Sequence, residues 1–360
     1  MKDMKEKLVF LAGERALRRV RDGGLEPGDV KIVAGAAGGP KWLILGQLDR
    51  FLFGEWFQGR REPLFLLGSS IGSWRFAAAS RRDPVAALDR FEDAYIHQAY
   101  TTKPSPAEVT RKSRDIMEAY LGESGAAEVL AHPCRRLNLF TVRSRHLLAD
   151  DRKLPLALGL MGAVGANVIS RKLLLWFFRQ TLFSDSRTPL PLKDIDATRM
   201  SRAYLSENNF KAALLASGSI PCVMQGIRDI PGAPAGTYRD GGAVDYHLDI
   251  PFGLNGSGIV LFPHYTHRII PGWLDKQLSW RKPSPKNMAD VLLLAPSPEF
   301  VSRLPLRKIS DRNDFYRFAG DDQGRFDYWQ KVVAAGKELA EDFGEAVASG
   351  NIRQRVRPLL

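Results

Sequence analysis

Three short stretches of the sequence hold residue types that could carry nucleophilic chemistry. Gly68-Ser69-Ser70-Ile71-Gly72 satisfies G-x-S-x-G, in which a central serine sits on a sharp turn and small flanking residues let the backbone bend. Ser70 is the candidate nucleophile. A serine hydroxyl is a poor nucleophile at neutral pH, so it needs a base within hydrogen-bond reach and N–H donors for the oxyanion that its attack creates. Gly35-Ala36-Ala37-Gly38-Gly39-Pro40-Lys41 offers such donors, because its N–H groups are unobstructed and Pro40 suits the first position of a helix whose positive end favours an anion. Gly38 and Gly39 are the candidate oxyanion donors, and Ile71, next to the nucleophile, is a candidate further one. In Asp240-Gly241-Gly242 a carboxylate follows a short apolar-polar run, and two glycines let it approach a neighbouring loop.

Asp240 is the stronger candidate for the base, since its paired glycines let it approach a neighbouring loop; a Ser-Asp-His order would admit His247, His264 or His267 by position, although these read as surface or strand-end residues. Asp245 and Asp249 lack the paired glycines and read as structural or surface residues. Nucleotide chemistry is disfavoured: Pro40 precedes Lys41 and Trp42 follows it, which breaks the phosphate-loop pattern, and Gly35 to Gly38 lacks dinucleotide spacing. No histidine and acid cluster stands at ligand spacing, so neither metal nor cofactor is expected.

These residues need a scaffold of strands that end where the chemistry begins. Strand patterns occupy 29–35, 63–68, 136–144, 236–240, 257–263 and 289–296, and helical patterns fill the gaps, which predicts an α/β sheet protein. Trp42, Leu45, Leu48, Leu52 and Trp56 form a helical stripe. Asp83 and Pro84 cap and open a helix running towards residue 100, and 321–350 reads as one long amphipathic helix. The pattern divides the chain into a catalytic region to about residue 265 and a mostly helical C-terminal extension over 266–360.

A net charge of +12 would suit an acidic partner, but the basic residues are scattered and carry no nucleic-acid signature, so no nucleic-acid partner is expected. Only two cysteines, Cys134 and Cys222, occur, which suits a reducing compartment. The first twenty residues hold too short an apolar run for a secretory signal, and 154–170 is too short and too rich in glycine to span a bilayer. The expected location is cytoplasmic, with peripheral attachment to a membrane surface. The stretch 156–183 sets Arg171, Lys172 and Arg179 beside Trp176 and Phe177, a composition that can lie in a lipid interface.

The order "GAAGGPK", "GSSIG", "AALLASGSIPCVMQGI" and "DGG" resembles the patatin-like phospholipase family over roughly residues 30 to 255. The resemblance implies a three-layer α/β fold with helices on both faces of the sheet, a catalytic domain over 28–265 and a nucleophile elbow at Ser70. It also implies a serine–aspartate dyad without histidine. Ser70 would attack an acyl carbonyl, Asp240 would take its proton, and Gly38 and Gly39 would hold the oxyanion, with a lipid or other acyl ester as substrate. The chain departs from the family pattern in lacking a D-G-G-G opening before Gly38 and in carrying Ser73 where glycine is common. Two alternatives follow: an α/β-hydrolase with a histidine triad, and a membrane-associated patatin-like protein without activity.

Overall fold

The computed structural model describes residues 6–101, 103–192 and 200–360. Its strands are β1 (Leu8–Ala12), β2 (Val30–Gly35), β3 (Leu64–Ser69), β4 (Arg135–Ser144), β5 (Phe178–Ser184), β6 (Met200–Tyr204), β7 (Ile227–Arg228), β8 (Thr237–Asp240), β9 (Ile259–Pro263), β10 (Val291–Pro296) and β11 (Val356–Pro358). They form one sheet in the order β11-β1-β10-β9-β2-β3-β4-β5-β6, flanked by helices. From β10 to β4 every neighbour is parallel, while β1 and β5 join that run antiparallel. Every residue of β9 and β10 is buried. Because successive side chains point to opposite faces, complete burial means that both faces of the sheet centre are covered, and this is why these strands read as unbroken apolar runs.

The arrangement around β4 is what brings Ser70 and Asp240 together. β5 pairs along one flank of β4, from Asn138 to Ser144. The other flank is divided: β3 pairs with Arg135 to Phe140, and β8 takes over from Thr141 to Ser144. Ser69 lies opposite Phe140 and Asp240 opposite Thr141, so the end of β3 and the end of β8 meet at adjacent positions of one strand.

The six expected strands all form, with ends shifted by one or two residues. β1, β5, β6, β7 and β11 were not expected. The segment after 265 supplies β10 and β11, and β10 lies between β9 and β1, so this segment completes the sheet. Two helix expectations need correction. The stripe from Trp42 to Trp56 is divided into a 3-10 turn (Gly39–Leu45), an α-helix (Gly46–Phe51) and a π-turn (Leu52–Trp56). The helix expected over 321–350 is two, Asp322–Ala335 and Lys337–Ala348. They part at Gly336, whose backbone lies so close to Ile44 that a Cβ there would stand 2.6 Å from the Ile44 carbonyl oxygen. The helix opened by Asp83 spans Pro84–Ile96, with the Asp83 carboxylate accepting from the Ala86 N–H at 3.0 Å.

The stretch 156–183 is not one amphipathic unit. A helix, Lys153–Ile169, buries Leu156, Gly159, Ala163 and Asn167 on one side, and the chain then turns into β5. The buried stripe packs on Val142 of β4 and on Ala243 and Val244, just past Asp240. The opposite side is also apolar but faces out: Leu154, Met161 and Ile169 are 70%, 62% and 79% exposed, as is Trp176 (66%) beyond the helix. Phe177 is half-buried against Gly162 and belongs to the packing, so of the two aromatics expected at an interface only Trp176 faces out. No described helix is long and apolar enough to cross a membrane.

Candidate active site

Ser70 joins β3 to the helix Ile71–Ala79 with φ 55° and ψ −128°, a conformation that L-residues seldom adopt and that is kept only where the surroundings enforce it. The two glycines of the motif do the enforcing. A Cβ on Gly68 would lie 2.4 Å from the Ser73 nitrogen, and one on Gly72 would lie 2.1 Å from the Gly35 carbonyl oxygen. The strand-to-helix turn therefore closes only with glycine at both places. The Ser70 N–H donates to the Ser217 hydroxyl at 3.0 Å, and Ser217 in turn donates to the Phe140 carbonyl at 2.7 Å and shares a bond with Ser73 at 2.9 Å. Ser73 is thus tied into the support of the turn.

The Ser70 hydroxyl donates to Asp240 Oδ2 at 2.6 Å. The other carboxylate oxygen accepts from the Gly242 N–H at 2.7 Å, and the Asp240 N–H is held by the Ser219 carbonyl at 3.0 Å. Gly241 and Gly242 are required by close approach: a Cβ on Gly241 would meet the Phe140 carbonyl oxygen at 2.5 Å and one on Gly242 would meet the Ala37 methyl at 2.7 Å. Asp240 is buried, and burial raises its pKa, opposed by the Ser70 bond, the charge of Arg312, the Gly242 bond and the charge of Lys276. A carboxylate with raised proton affinity and a hydroxyl already hydrogen-bonded to it can exchange a proton during attack on a carbonyl.

The glycine loop after β2 is fixed through its Ala37 peptides. The Ala37 N–H donates to the Tyr246 carbonyl at 3.0 Å, and the Ala37 carbonyl accepts from the Tyr265 hydroxyl at 2.6 Å. In a trans peptide the following N–H points opposite to the carbonyl, so the Gly38 N–H faces away from Tyr265. Gly38 itself is packed against that ring, where a Cβ would stand 2.5 Å from it, and Gly39 has φ 57°. Ile71 is the first residue of its helix, with no acceptor for its N–H inside that helix.

The histidines have other occupations. His247 is buried, accepts on Nδ1 from the Ile270 N–H at 3.0 Å, and bonds the Tyr265 hydroxyl through Nε2 at 2.7 Å. With Nδ1 an acceptor, Nε2 carries the proton, so a neutral His247 supports the Gly38 loop through Tyr265. Burial above all, then His264 and Lys41, holds its pKa well below the ordinary range. His264, at the end of β9, is also buried and pushed down to about 3, first by burial, and His267 is exposed. None of the three bonds Ser70 or Asp240. Neither neighbouring acid is a surface residue. Asp245 is buried, bonded by Gln180 and Arg171 and pushed up to about 6, chiefly by burial; Asp249 is largely buried and accepts from the Ser284 N–H and the Asn287 amide.

A cavity of about 270 Å³ adjoins Asp240. Gly38, Lys41, Gly242 and Tyr246 line one side, and Trp273, Lys276, Asp311 and Arg312 come from the segment after residue 265. Gly39, expected beside Gly38, is not among the lining residues, and its flank is covered by Arg312 instead. Sequence reasoning missed Ser217, Lys276 and Arg312. Ser217 stood inside the noted "ASGSIP" run, whereas nothing in the local sequence marks the two cations. Among the described residues no group of three histidine, cysteine, aspartate or glutamate side chains is placed to hold a metal ion. Neither protein-family models nor curated proteins yield a match to this chain.

Proposed function

We propose that the protein is a serine hydrolase of patatin-like type that cleaves acyl esters of lipids with Ser70 as nucleophile and Asp240 as base. The observation that carries this reading is the 2.6 Å bond from the Ser70 hydroxyl to a buried carboxylate at the edge of a cavity. The succession of glycine loop after β2, serine turn after β3 and aspartate after β8 supports it, with the Ser70 turn serving as a nucleophile elbow. In the first half-reaction Ser70 Oγ bonds to the carbonyl carbon, its proton passes to Asp240 Oδ2, and the carbonyl electron pair moves onto oxygen, facing the N–H groups of Gly38 and Ile71. Collapse of this adduct breaks the bond to the alcohol, which leaves with the proton from Asp240. Water then repeats the sequence on the acyl-serine, giving its proton to Asp240 and releasing the acid.

A fluorophosphonate probe tests the nucleophile. Wild type gains one probe mass on the peptide carrying Ser70, and Ser70→Ala gains none. A folded wild type that stays unlabelled, or labelling of Ser70→Ala, overturns the reading.

The helix Lys153–Ile169 supports a membrane-surface site of action. An exposed helix normally carries a polar outer face, but this one is apolar on both sides, and the exposed Lys153 and Lys172 would favour an anionic bilayer. Replacing Leu154, Met161 and Trp176 together with serine should weaken sedimentation with phosphatidylserine vesicles by about tenfold or more, given the apolar area withdrawn. Because all three side chains are exposed, the urea midpoint should stay put. Unchanged sedimentation of the folded variant removes the membrane surface from the proposal.

A further inference from the structure

We infer that the cavity is an anion site, in which Lys41, Lys276 and Arg312 hold a phosphate or carboxylate group of the substrate beside the acyl carbonyl. The inference deepens the Ser70–Asp240 reading, on which the word substrate rests.

The cations come from three separate places: the 3-10 turn Gly39–Leu45 after β2, the turn after Trp273, and the turn just before the short helix Asp314–Arg317. Charged groups in this protein are otherwise commonly matched, as Arg15 is with Asp290 and Arg75 with Asp49, each at 2.7 Å. Among the described residues none of these three cations forms an ion pair with a carboxylate. The two acids on the cavity wall, Asp240 near Lys276 and Asp311 near Lys41, offset the three cations only in part, and each has other partners. Asp240 is engaged by Ser70 and Gly242, and Asp311 is bound by Lys308 at 3.0 Å and caps the Asn313 N–H at 2.8 Å.

All three side chains are half-buried, where like charges repel more strongly than in water. The cost is visible at Lys276, pushed down to about 8 by burial first and then by Lys41 and Arg312, and at Lys41, lowered by burial first. Three cations facing two carboxylates in a concave site leave an excess of positive charge that a bound anion would relieve. Their placement is braced. Lys276 lies 4.2 Å over the Tyr246 ring and Lys41 5.0 Å over the Tyr265 ring. Arg312 packs so closely on Gly39 that a Cβ there would come within 3.0 Å of its Nε. The second glycine of the loop thus serves to admit a guanidinium, which binds phosphate or carboxylate bidentately.

Two matched substrate pairs and one binding titration test this. The first pair is 4-nitrophenyl valerate against mono-4-nitrophenyl glutarate, which differ by a carboxylate on the acyl half. The second is dioctanoylglycerol against dioctanoyl phosphatidic acid, which differ by a phosphate on the alcohol half. Wild type should favour the anionic member of at least one pair in kcat/KM, and the preferred pair identifies which half carries the charge. In the double variant Lys276→Met/Arg312→Met the anionic-to-neutral ratio for that pair should fall by about tenfold or more. A folded variant with an unchanged ratio, or wild type without preference in either pair, overturns the anion site while leaving the dyad standing. If wild type turns over none of the four esters, the dyad reading fails instead. Calorimetric titration of inorganic phosphate into the full Ser70→Ala chain then decides the anion site alone. Saturable binding that is weakened about tenfold or more by the same two substitutions supports it, and absent or unweakened binding rejects it.

Discussion

Asp240→Asn should lower kcat by about 10²–10⁴, the range that a positioned general base contributes, while leaving the protein folded. The amide is nearly the same size as the carboxylate, and its oxygen can still accept one of the bonds that Ser70 and Gly242 now make to separate oxygens. What it cannot do is take the proton. The pH profile of wild type supplies an independent check. The base must be ionised, and burial raises its pKa, so kcat/KM should fall on the acid side with a midpoint above the ordinary aspartate value of about 4. Steady-state rates on a water-soluble ester measure both. Turnover by Asp240→Asn within a few fold of wild type, or an acid limb at or below the ordinary value, would remove Asp240 from the role of base.

Breaking the ion pair behind Ser70 should have the largest effect on stability. Arg75, on the helix that starts at Ile71, donates from Nε and Nη2 to the two oxygens of Asp49, both at 2.7 Å, with both side chains wholly buried. Asp49→Ala leaves the guanidinium without its partner in the core, which costs about 3–5 kcal/mol, a large share of the roughly 5–15 kcal/mol that holds a domain folded. Urea unfolding reads this directly. The double variant Asp49→Leu/Arg75→Met, which removes both charges and keeps the volume, should be the more stable of the two. If Asp49→Ala unfolds at the wild-type midpoint, the pair contributes nothing to holding that helix in place.

What could be read from the sequence was set by local backbone demands. Gly68, Gly72, Gly241 and Gly242 occupy places where any Cβ would strike backbone or a neighbouring methyl, so their spacing around Ser70 and after Asp240 betrayed the two turns. The central strands were legible because burial on both faces leaves only apolar residues. β5 was hidden because "FRQTLFS" follows directly on an apolar helix and its own alternation is short. The break at Gly336 depends on the carbonyl of Ile44, nearly three hundred residues away in sequence. The cationic wall was illegible for the same reason: Lys41 and Arg312 are brought together by the sheet order, in which β10 follows β9 and returns the late chain to the mouth of the early loop.

β3 and β8 do not pair with each other; each is laid end to end along the same flank of β4. That strand works as a ruler on which the separation of hydroxyl and carboxylate is marked off. Sliding β8 by a single residue would carry Asp240 about 3.4 Å along and turn its side chain to the opposite face. A chain assembled one notch out would also exchange the faces of the buried Tyr238 and Arg239 and leave Ser70 without its acceptor, so the Ser70–Asp240 bond itself marks these strands as joined in the correct register.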